Sequence, residues 1–289
     1  MCRLFGLTAA PERVHATFWL VEAADSLAEQ SRRDPDGTGL GTFEADGKPL
    51  VQKQPMAAYK DAQFAREAKE CESATFLAHV RYASTGATTA ANTHPFEQRG
   101  RLFAHNGVLG DLDALDRELG DYRDLVAGET DSERFFALIT KNIDQRGGDV
   151  AAGITDAVNW IADNLPVYAI NFILTTPNEL WALRFPHTHD LFVLSRAAGG
   201  PTGARHLDHG SAAGRIRARS GALADRPAVV VASERMDEDP GWRNLPVGQL
   251  LHVGPDQAVT QRTILDHPPR RPLSLDDLGA HAAASQSGT

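Results

Sequence analysis

The segment MCRLFG at residues 1–6 opens the chain and organises the interpretation of everything that follows. Initiator methionine is usually removed before a small residue, and its removal here would leave Cys2 with a free α-amine beside its thiol. The amine has an unperturbed pKa of about 7.7–8.0 and the thiol about 8.5, so the amine can take the thiol proton near neutral pH. The alternative is that Cys2 is one more small apolar residue in a buried terminal strand, because a lone cysteine is weak evidence of catalysis.

The composition argues against several classes of partner. The chain has 289 residues, a net charge of −9 and two cysteines, Cys2 and Cys71. Nucleic acids and anionic membranes attract clustered Lys and Arg, so this acidic balance predicts neither as a partner. No apolar run approaches the ~18 residues of a membrane-spanning helix. We expect no signal peptide before Cys2 and a cytoplasmic protein with reduced thiols.

Hydrophobic periodicity predicts a protein of the α+β class, in which strands and helices are segregated along the chain. We expect one domain over residues 2–266. The tail at 267–289 is rich in Pro, Ala and Ser and is predicted to be disordered. The clearest predicted elements are strands at 2–8, 75–82, 168–175, 180–185 and 228–232, and helices at 61–71 and 149–165.

One buried strand ends in charge at HVRY, residues 79–82, and then runs into Ser84. An arginine at the mouth of an apolar strand is costly unless it meets an anion. Arg81 therefore predicts either a structural ion pair or a bidentate clamp for a substrate carboxylate. Asp131 also allows two interpretations: either it or Thr130 can cap the helix that follows, and its carboxylate can instead hold a substrate ammonium.

The AHNG segment at residues 104–107 follows another short strand. Asn-Gly is a tight-turn signal. It also offers a side-chain amide and an unobstructed backbone N–H, and two converging donors are what an oxyanion hole requires. His94, in NTHPF at residues 92–96, is interpreted first as a structural residue of a turn.

Neither a metal nor a cofactor is predicted. The glycine-rich segment at residues 34–43 has no Walker lysine, so it is interpreted either as a turn that leads into a strand or as a loop that lets the backbone come close to a small substrate. Four histidines in the second half lack metal-site spacing and have no cysteine among them, which argues against a metal centre. These histidines are His187, His189, His206 and His209.

Five short motifs together resemble the class II glutamine amidotransferases, which are N-terminal nucleophile hydrolases. The resemblance covers about residues 2–255 and is closest to the stand-alone group, which includes the γ-glutamyl hydrolase of ergothioneine biosynthesis. It implies a four-layer αββα sandwich, in which two antiparallel sheets pack between helical layers. The motifs are CRLFG at 2–6, HVRY at 79–82, NTHPF at 92–96, AHNG at 104–107 and ETDSE at 129–133.

The resemblance also implies catalytic roles. Cys2 would be the nucleophile and its α-amine the base. Asn106 and Gly107 would form the oxyanion hole. The reaction would be hydrolysis of the γ-amide of glutamine or of a γ-glutamyl conjugate through a γ-glutamyl thioester, without a cofactor.

Substrate-binding roles carry over in the same way. Arg81 would bind the α-carboxylate of the glutamyl group and Asp131 its α-ammonium. His79 and His94 match motif positions and are expected in supporting roles, and Ser84 is expected to contact substrate.

Two positions have no assigned role in the resemblance. The stand-alone group often has an aromatic residue where this chain has Thr38. Glu234 is expected to line the cavity. No motif marks the residues on the leaving-group side, so the group attached to the γ-glutamyl moiety stays open.

Two alternative functions compete with the stand-alone hydrolase. The first is a glutaminase subunit that delivers ammonia to a separate synthase as its partner. The second is a catalytically silent binding or regulatory protein on the same scaffold. No synthase domain follows the motifs in this sequence, which favours the hydrolase, and the full set of catalytic residues argues against the silent protein.

Overall fold

Two β-sheets form the centre of the fold in the computed structural model. The candidate Ser84 lies outside the residues that the structure describes. Most of residues 197–224, a second stretch that is rich in Gly, Ala and Arg, also lies outside them. The described residues are 2–22, 26–32, 36–82, 87–198, 209–210, 217–218 and 226–286.

The first sheet places the N-terminal strand at its middle, and all its pairs are antiparallel. Its order in space is β13 (Arg243–Asn244), β9 (Phe192–Arg196), β12 (Ala228–Ala232), β1 (Arg3–Thr8), β4 (Thr75–Arg81), β2 (Gly37–Phe43) and β3 (Pro49–Gln54).

The second sheet is antiparallel along its main path. A further short strand, β16 (Arg271–Pro272), pairs in parallel with one of its central strands. A separate two-stranded ribbon contains β10 (His209–Gly210) and β11 (Arg217–Ala218). The main path runs through β15 (Val259–Thr263), β14 (Gln249–Val253), β8 (Leu180–Leu183), β7 (Pro166–Thr175), β6 (Arg101–Leu109) and β5 (Phe96–Gln98), with β16 on β7.

Helices cover the outer faces of the sheets. Short 3₁₀ segments occur at Ala58–Lys60, Gly120–Leu125 and Leu275–Asp277, and a π-helical turn occurs at Phe18–Glu22. None of the described helices combines the length and apolarity needed to cross a bilayer. The α-helices are α1 (Leu27–Gln30), α2 (Ala62–Glu70), α3 (Leu112–Leu119), α4 (Asp131–Gln145), α5 (Val150–Asn164) and α6 (Ala280–Gln286).

Three hydrophobic clusters divide the fold into four layers. One cluster lies between the two sheets and joins Leu4 and Leu77 of the first sheet to Ile173 of the second. A second packs α4 and α5 on the outer face of the second sheet. A third packs α1, α2 and the π-helical turn on the outer face of the first. The predicted α+β class and αββα layering are confirmed.

Polar side chains set where the helices begin. The side chains of Ser26, Asp61, Thr130 and Asp149 accept hydrogen bonds from backbone N–H groups in the first turns of α1, α2, α4 and α5. These contacts satisfy donors that a helix start leaves without an intrahelical partner. Thr130 is therefore the N-cap of α4, and the alternative that Asp131 caps this helix is wrong.

The C-terminal segment differs from the prediction of disorder. Residues 271–272 form β16, Leu275–Asp277 form a 3₁₀ helix and α6 follows. Leu273 donates a backbone hydrogen bond to Val167 in β7 at 2.9 Å. The prediction does not hold for residues 267–286, because a Pro- and Ala-rich composition does not reveal that this segment has an existing sheet to pair with.

Candidate active site

Cys2 and Arg81 come together because β1 and β4 are neighbours in the first sheet. Arg3 lies opposite Val80 in the register of these strands. Cys2 is 7% exposed, and its Sγ lies 3.3 Å from both the backbone nitrogen and the backbone oxygen of Tyr82. Strand pairing thus holds the candidate nucleophile against the end of the strand that carries the candidate clamp.

Asn106 reaches Cys2 from the second sheet. It lies within β6, is 1% exposed, and its Nδ2 donates a hydrogen bond of 3.1 Å to the carbonyl oxygen of Cys2. Its Oδ1 is buried and has no hydrogen-bond partner within the described part of the chain. The amide nitrogen of Asn106 therefore contacts Cys2, while its amide oxygen accepts no hydrogen bond from the described residues.

The Asn106-Gly107 pair lies inside a strand, so its interpretation as a tight turn is wrong. Gly107 is opposite Ile170 in the register of β6 and β7. A Cβ at position 107 would lie 1.8 Å from the carbonyl oxygen of Ala169, far inside van der Waals contact. Glycine is present here because the neighbouring strand leaves no room for a side chain.

Asp131 connects α4 to β6. It is 1% exposed and lies in the first turn of α4. Its Oδ2 accepts a hydrogen bond from the backbone nitrogen of Leu109 at 2.9 Å, and its Oδ1 accepts one from that of Ser132 at 2.8 Å. Ser132 Oγ also donates to Oδ1 at 3.3 Å, so the carboxylate is a buried hydrogen-bond acceptor at the start of α4.

Arg81 is a buried cation among anionic groups. Burial lowers the pKa of its guanidinium, while the nearby acidic groups of Cys2, Asp36 and Asp131 act in the opposite direction. Its Nη1 also donates to the carbonyl oxygen of Ala87 at 3.3 Å. The structure therefore brings Cys2, Arg81 and Asp131 close enough together for their charges to interact.

His79 and His94 form a buried imidazole pair whose ring centroids are 4.2 Å apart. Burial lowers the pKa of His79 to about 3, and the positive charge of Arg81 acts in the same direction. Burial also lowers the pKa of His94 well below its usual value. Both rings are therefore neutral at pH 7, so they fill space beside Arg81 without adding charge.

Asn92 and Glu129 join two of the sequence motifs. Asn92 Nδ2 donates to Glu129 Oε2 at 3.2 Å, and the backbone nitrogen of Glu129 donates to Asn92 Oδ1 at 2.9 Å. The same Nδ2 donates to the carbonyl oxygen of Ala87, which also accepts from Arg81. This pairing ties the segment before β5 to the start of α4.

Sequence reasoning gave no role to His105, which the structure places at the site. Its Nδ1 lies 2.9 Å from Ser132 Oγ and its Nε2 lies 3.2 Å from the carbonyl oxygen of Ala169. Burial lowers its pKa, while the charge of Asp131 acts in the opposite direction. Its position next to Asn106 could have indicated this, because successive side chains of a strand point to opposite faces of the sheet. If one of the two faces the other sheet, its neighbour faces the helices.

The two positions without an assigned role have structural partners. Thr38 is buried in β2 and its Oγ1 donates to the carbonyl oxygen of Met56 at 2.8 Å. Glu234 forms an ion pair of 2.5 Å with Arg3, the residue after Cys2. Among the described residues, no group of three or more His, Cys, Asp or Glu lies close enough to hold a metal ion.

The fold is shared with a solved amidotransferase. The structure of glutamine phosphoribosylpyrophosphate amidotransferase from B. subtilis, in complex with ADP and GMP, matches with a TM-score of 0.62. The match covers 92% of this chain and 50% of that chain at 19% identity. This likeness shows that the chain shares the fold of part of that amidotransferase.

The sequence match extends over most of the chain. A sequence model of the family described as "Glutamine amidotransferases class-II" matches residues 1–272. The chain therefore belongs to the class II glutamine amidotransferases, which confirms the predicted family and, at that level, the predicted enzyme class.

Curated relatives agree with this assignment. The protein YafJ of Escherichia coli is 31% identical over 169 residues, which are 56% of this chain and 63% of YafJ. The gamma-glutamyl-hercynylcysteine sulfoxide hydrolase of Mycolicibacterium smegmatis is 26% identical over 220 residues, which are 75% of this chain and 77% of that protein. The matched part spans 40%, 47% and 63% of three curated relatives, so the chain covers less than two thirds of the length of each.

Proposed function

We propose that this protein is an N-terminal cysteine amidohydrolase that cleaves the γ-amide of glutamine or of a γ-glutamyl conjugate. The observation that carries the proposal is the convergence of Cys2, Arg81, Asn106 and Asp131 at the meeting of the two sheets. The similarity to a γ-glutamyl hydrolase supports a hydrolytic reaction on a γ-glutamyl substrate.

In the proposed first step, the sulfur of Cys2 attacks the δ-carbonyl carbon of the glutamyl group. A C–S bond forms and the α-amine of processed Cys2 takes the thiol proton. The oxyanion accepts hydrogen bonds from Asn106 Nδ2 and the backbone N–H of Gly107, and removal of one such donor costs about 3 kcal/mol in well-studied enzymes. The Asn106 amide is already held on the Cys2 residue, which supports this role.

In the second step, the C–N bond breaks and the amine hands its proton to the leaving nitrogen. A γ-glutamyl thioester remains on Cys2. Water then adds to the thioester carbonyl with the α-amine as base, and glutamate leaves as the thiol is regenerated.

Recognition of the glutamyl end is proposed to rest on opposite charges. The guanidinium of Arg81 binds the α-carboxylate and the carboxylate of Asp131 binds the α-ammonium. Either charge left unpaired in a closed site is costly, so the pair selects a zwitterionic amino acid end. We assign supporting roles to His79 and His94, which line the site without charge, and a substrate contact to Ser84.

Ammonia release from L-glutamine by the purified protein tests this proposal. The N-terminus is first verified by intact mass, because the mechanism requires removal of the methionine. A substrate adduct of about 129 Da on Cys2 in acid-quenched samples is expected for a γ-glutamyl thioester. Cys71→Ala is the matched control, since it removes the other thiol and should keep both signals.

Two results would contradict the hydrolase. Absence of turnover and adduct with glutamine and γ-glutamyl amides would argue for the silent scaffold. Ammonia release that appears only when a separate synthase is added would argue for the ammonia-donor subunit.

A further inference from the structure

The C-terminal segment packs beside the candidate oxyanion strand. β16 extends the second sheet along β7, and Leu273 and Leu278 pack against a small cluster that contains Val108 and Tyr168. Val108 directly follows Gly107 in β6. The end of this chain therefore contributes to the surroundings of the candidate site.

The last residue of α6 makes a buried polar contact with His189. Gln286 is 3% exposed, and its Oε1 lies 2.7 Å from His189 Nε2. The orientation of this amide follows from its neighbour, because Ser285 Oγ donates to the carbonyl oxygen of Ala282 at 2.7 Å and so accepts from Gln286 Nε2. The amide oxygen thus faces the imidazole, and His189 Nε2 carries the hydrogen.

This tautomer leaves a lone pair on the other ring nitrogen. His189 is 3% exposed, and its Nδ1 is buried with no hydrogen-bond partner in the described ranges. Burial lowers the pKa of the ring against the effect of Gln286, and the positive charge of Arg3 lowers it further. The ring is therefore neutral at pH 7, with an unsatisfied acceptor whose desolvation costs about 1–3 kcal/mol.

The side chain of Asn171 connects His189 to the strand pair that contains Asn106. Asn171 on β7 is the register partner of Asn106 on β6. Asn171 Nδ2 donates to the carbonyl oxygen of His189 at 3.2 Å, and its Oδ1 accepts from the backbone nitrogen of Phe185 at 2.8 Å. The Tyr168 ring lies edge-on to the imidazole, with centroids 5.5 Å apart. The position of His189 is thus coupled to the strand pair that carries Asn106.

We infer that His189 determines specificity on the leaving-group side, where its Nδ1 accepts a hydrogen bond from an N–H donor of the group attached to the γ-glutamyl moiety. The inference rests on the proposed function and adds a substrate class to it. This class is γ-glutamyl amides whose leaving group bears a further N–H donor. Gln286 is the positioning residue that keeps the acceptor lone pair on Nδ1.

The proposed role of Gln286 can be tested with a variant that is expected to reverse the substrate preference. In Gln286→Glu, the new carboxylate favours a protonated ring, so that both ring nitrogens become donors. A substrate with an acceptor on its leaving group should then gain relative to one with a donor. A purely structural role for the His189–Gln286 contact does not produce this reversal.

The experiment compares kcat/KM for three substrates of similar size. They are γ-glutamyl-2-aminoethylamide with an ammonium donor, γ-glutamylpropylamide with neither donor nor acceptor, and γ-glutamylglycine with a carboxylate. The ratios between substrates are the readout, because a general loss of stability or turnover does not change them. L-Glutamine is assayed in parallel.

We expect the wild-type protein to prefer the aminoethylamide over the propylamide by about tenfold or more, which is typical of one buried hydrogen bond. His189→Phe should bring this ratio close to one. Gln286→Glu should lower it and raise the relative rate on γ-glutamylglycine. His252→Phe is the matched control, because His252 contacts Trp181 and Glu179 instead, and its ratios should equal those of the wild type.

Two outcomes overturn the inference while the proposed function stands. One is a wild-type ratio near one with normal glutamine hydrolysis, and the other is an unchanged ratio in His189→Phe. Absence of turnover on glutamine and all three amides would overturn the proposed function and this inference with it.

Discussion

The two sheets contribute unlike halves to the candidate site. The half on the first sheet has Cys2 and Arg81, whose thiol and guanidinium lie at the mouth of β1 and β4. The other half has Asn106 and Gly107 on β6 of the second sheet and Asp131 on α4, and the contacts of Asn106 and Asp131 also hold the second sheet to the first and to α4. Changes in the first half should therefore affect reactivity and binding, and changes in the second should affect stability as well.

The largest expected effect separates activity from stability in the first half. Cys2→Ala should lower kcat by about 10⁴-fold or more, because no other group supplies the nucleophile. The free energy of unfolding should change by about 1 kcal/mol or less, since only a small side chain is truncated. Turnover assays and denaturant unfolding check the two expectations. Wild-type turnover in Cys2→Ala would end the proposed mechanism.

The second half should respond in the opposite way. Gly107→Ala places a methyl group on the carbonyl oxygen of Ala169 and should destabilise the fold by about 3 kcal/mol or more. Gly279→Ala is the control, because a Cβ at this exposed position meets nothing within 4 Å. Denaturant midpoints compare the two variants. Equal midpoints would show that β6 and β7 can separate at little cost.

Arg81→Lys tests the clamp in the first half. Lysine keeps the charge but loses the planar pair of donors, so KM for glutamine should rise about tenfold to a hundredfold with a smaller change in kcat. The exposed Arg226→Lys is the control and should keep the wild-type KM. An unchanged KM in Arg81→Lys would exclude bidentate binding of the α-carboxylate by this residue.

His79 in the first half allows a further test, because its burial makes the stability of the fold depend on pH. Its folded pKa of about 3 lies below the unfolded value near 6.5, so the unfolded chain binds more protons between these values. Stability is complete above pH 6.5 and is lost as the pH falls, by about 2 kcal/mol for this group between pH 7 and pH 5.

Replacement of His79 by Gln should reduce the pH dependence of stability by this amount. Unfolding free energies at pH 7 and pH 5 measure the difference between the two proteins. His267→Gln, at an exposed position, should keep the wild-type dependence. The same loss of stability in His79→Gln as in the wild type would mean that this ring does not stay neutral in the folded protein.

The smallest effect concerns the helix that presents Asp131. Thr130→Ala removes the N-cap of α4 and should cost about 1 kcal/mol of stability. It should also raise KM, because the first turn of α4 carries the proposed ammonium ligand. Asp149→Ala removes the N-cap of α5 at a similar cost and should leave KM unchanged. Equal KM values in both variants would separate α4 from substrate binding.

Local sequence patterns predicted much of this fold. Strand β1 and helices α2 and α5 lie where periodicity and capping residues indicated, because these signals act between neighbours in the chain. The Asn106-Gly107 pair misled for the complementary reason. A turn and a crowded central strand can both require glycine, and only the nearby carbonyl oxygen of Ala169 identifies the strand here.

The sequence by itself determined the family and the two-sheet architecture and proposed the residues of the candidate centre, because the short motifs keep their order and their residue types. Tertiary structure alone decided that His105 joins them, that Thr130 rather than Asp131 caps α4, and that residues 271–286 pack on the second sheet. The physical reason is that burial, strand register and the hydrogen bonds of His189 with Gln286 join residues far apart in the chain. No local pattern encodes such contacts.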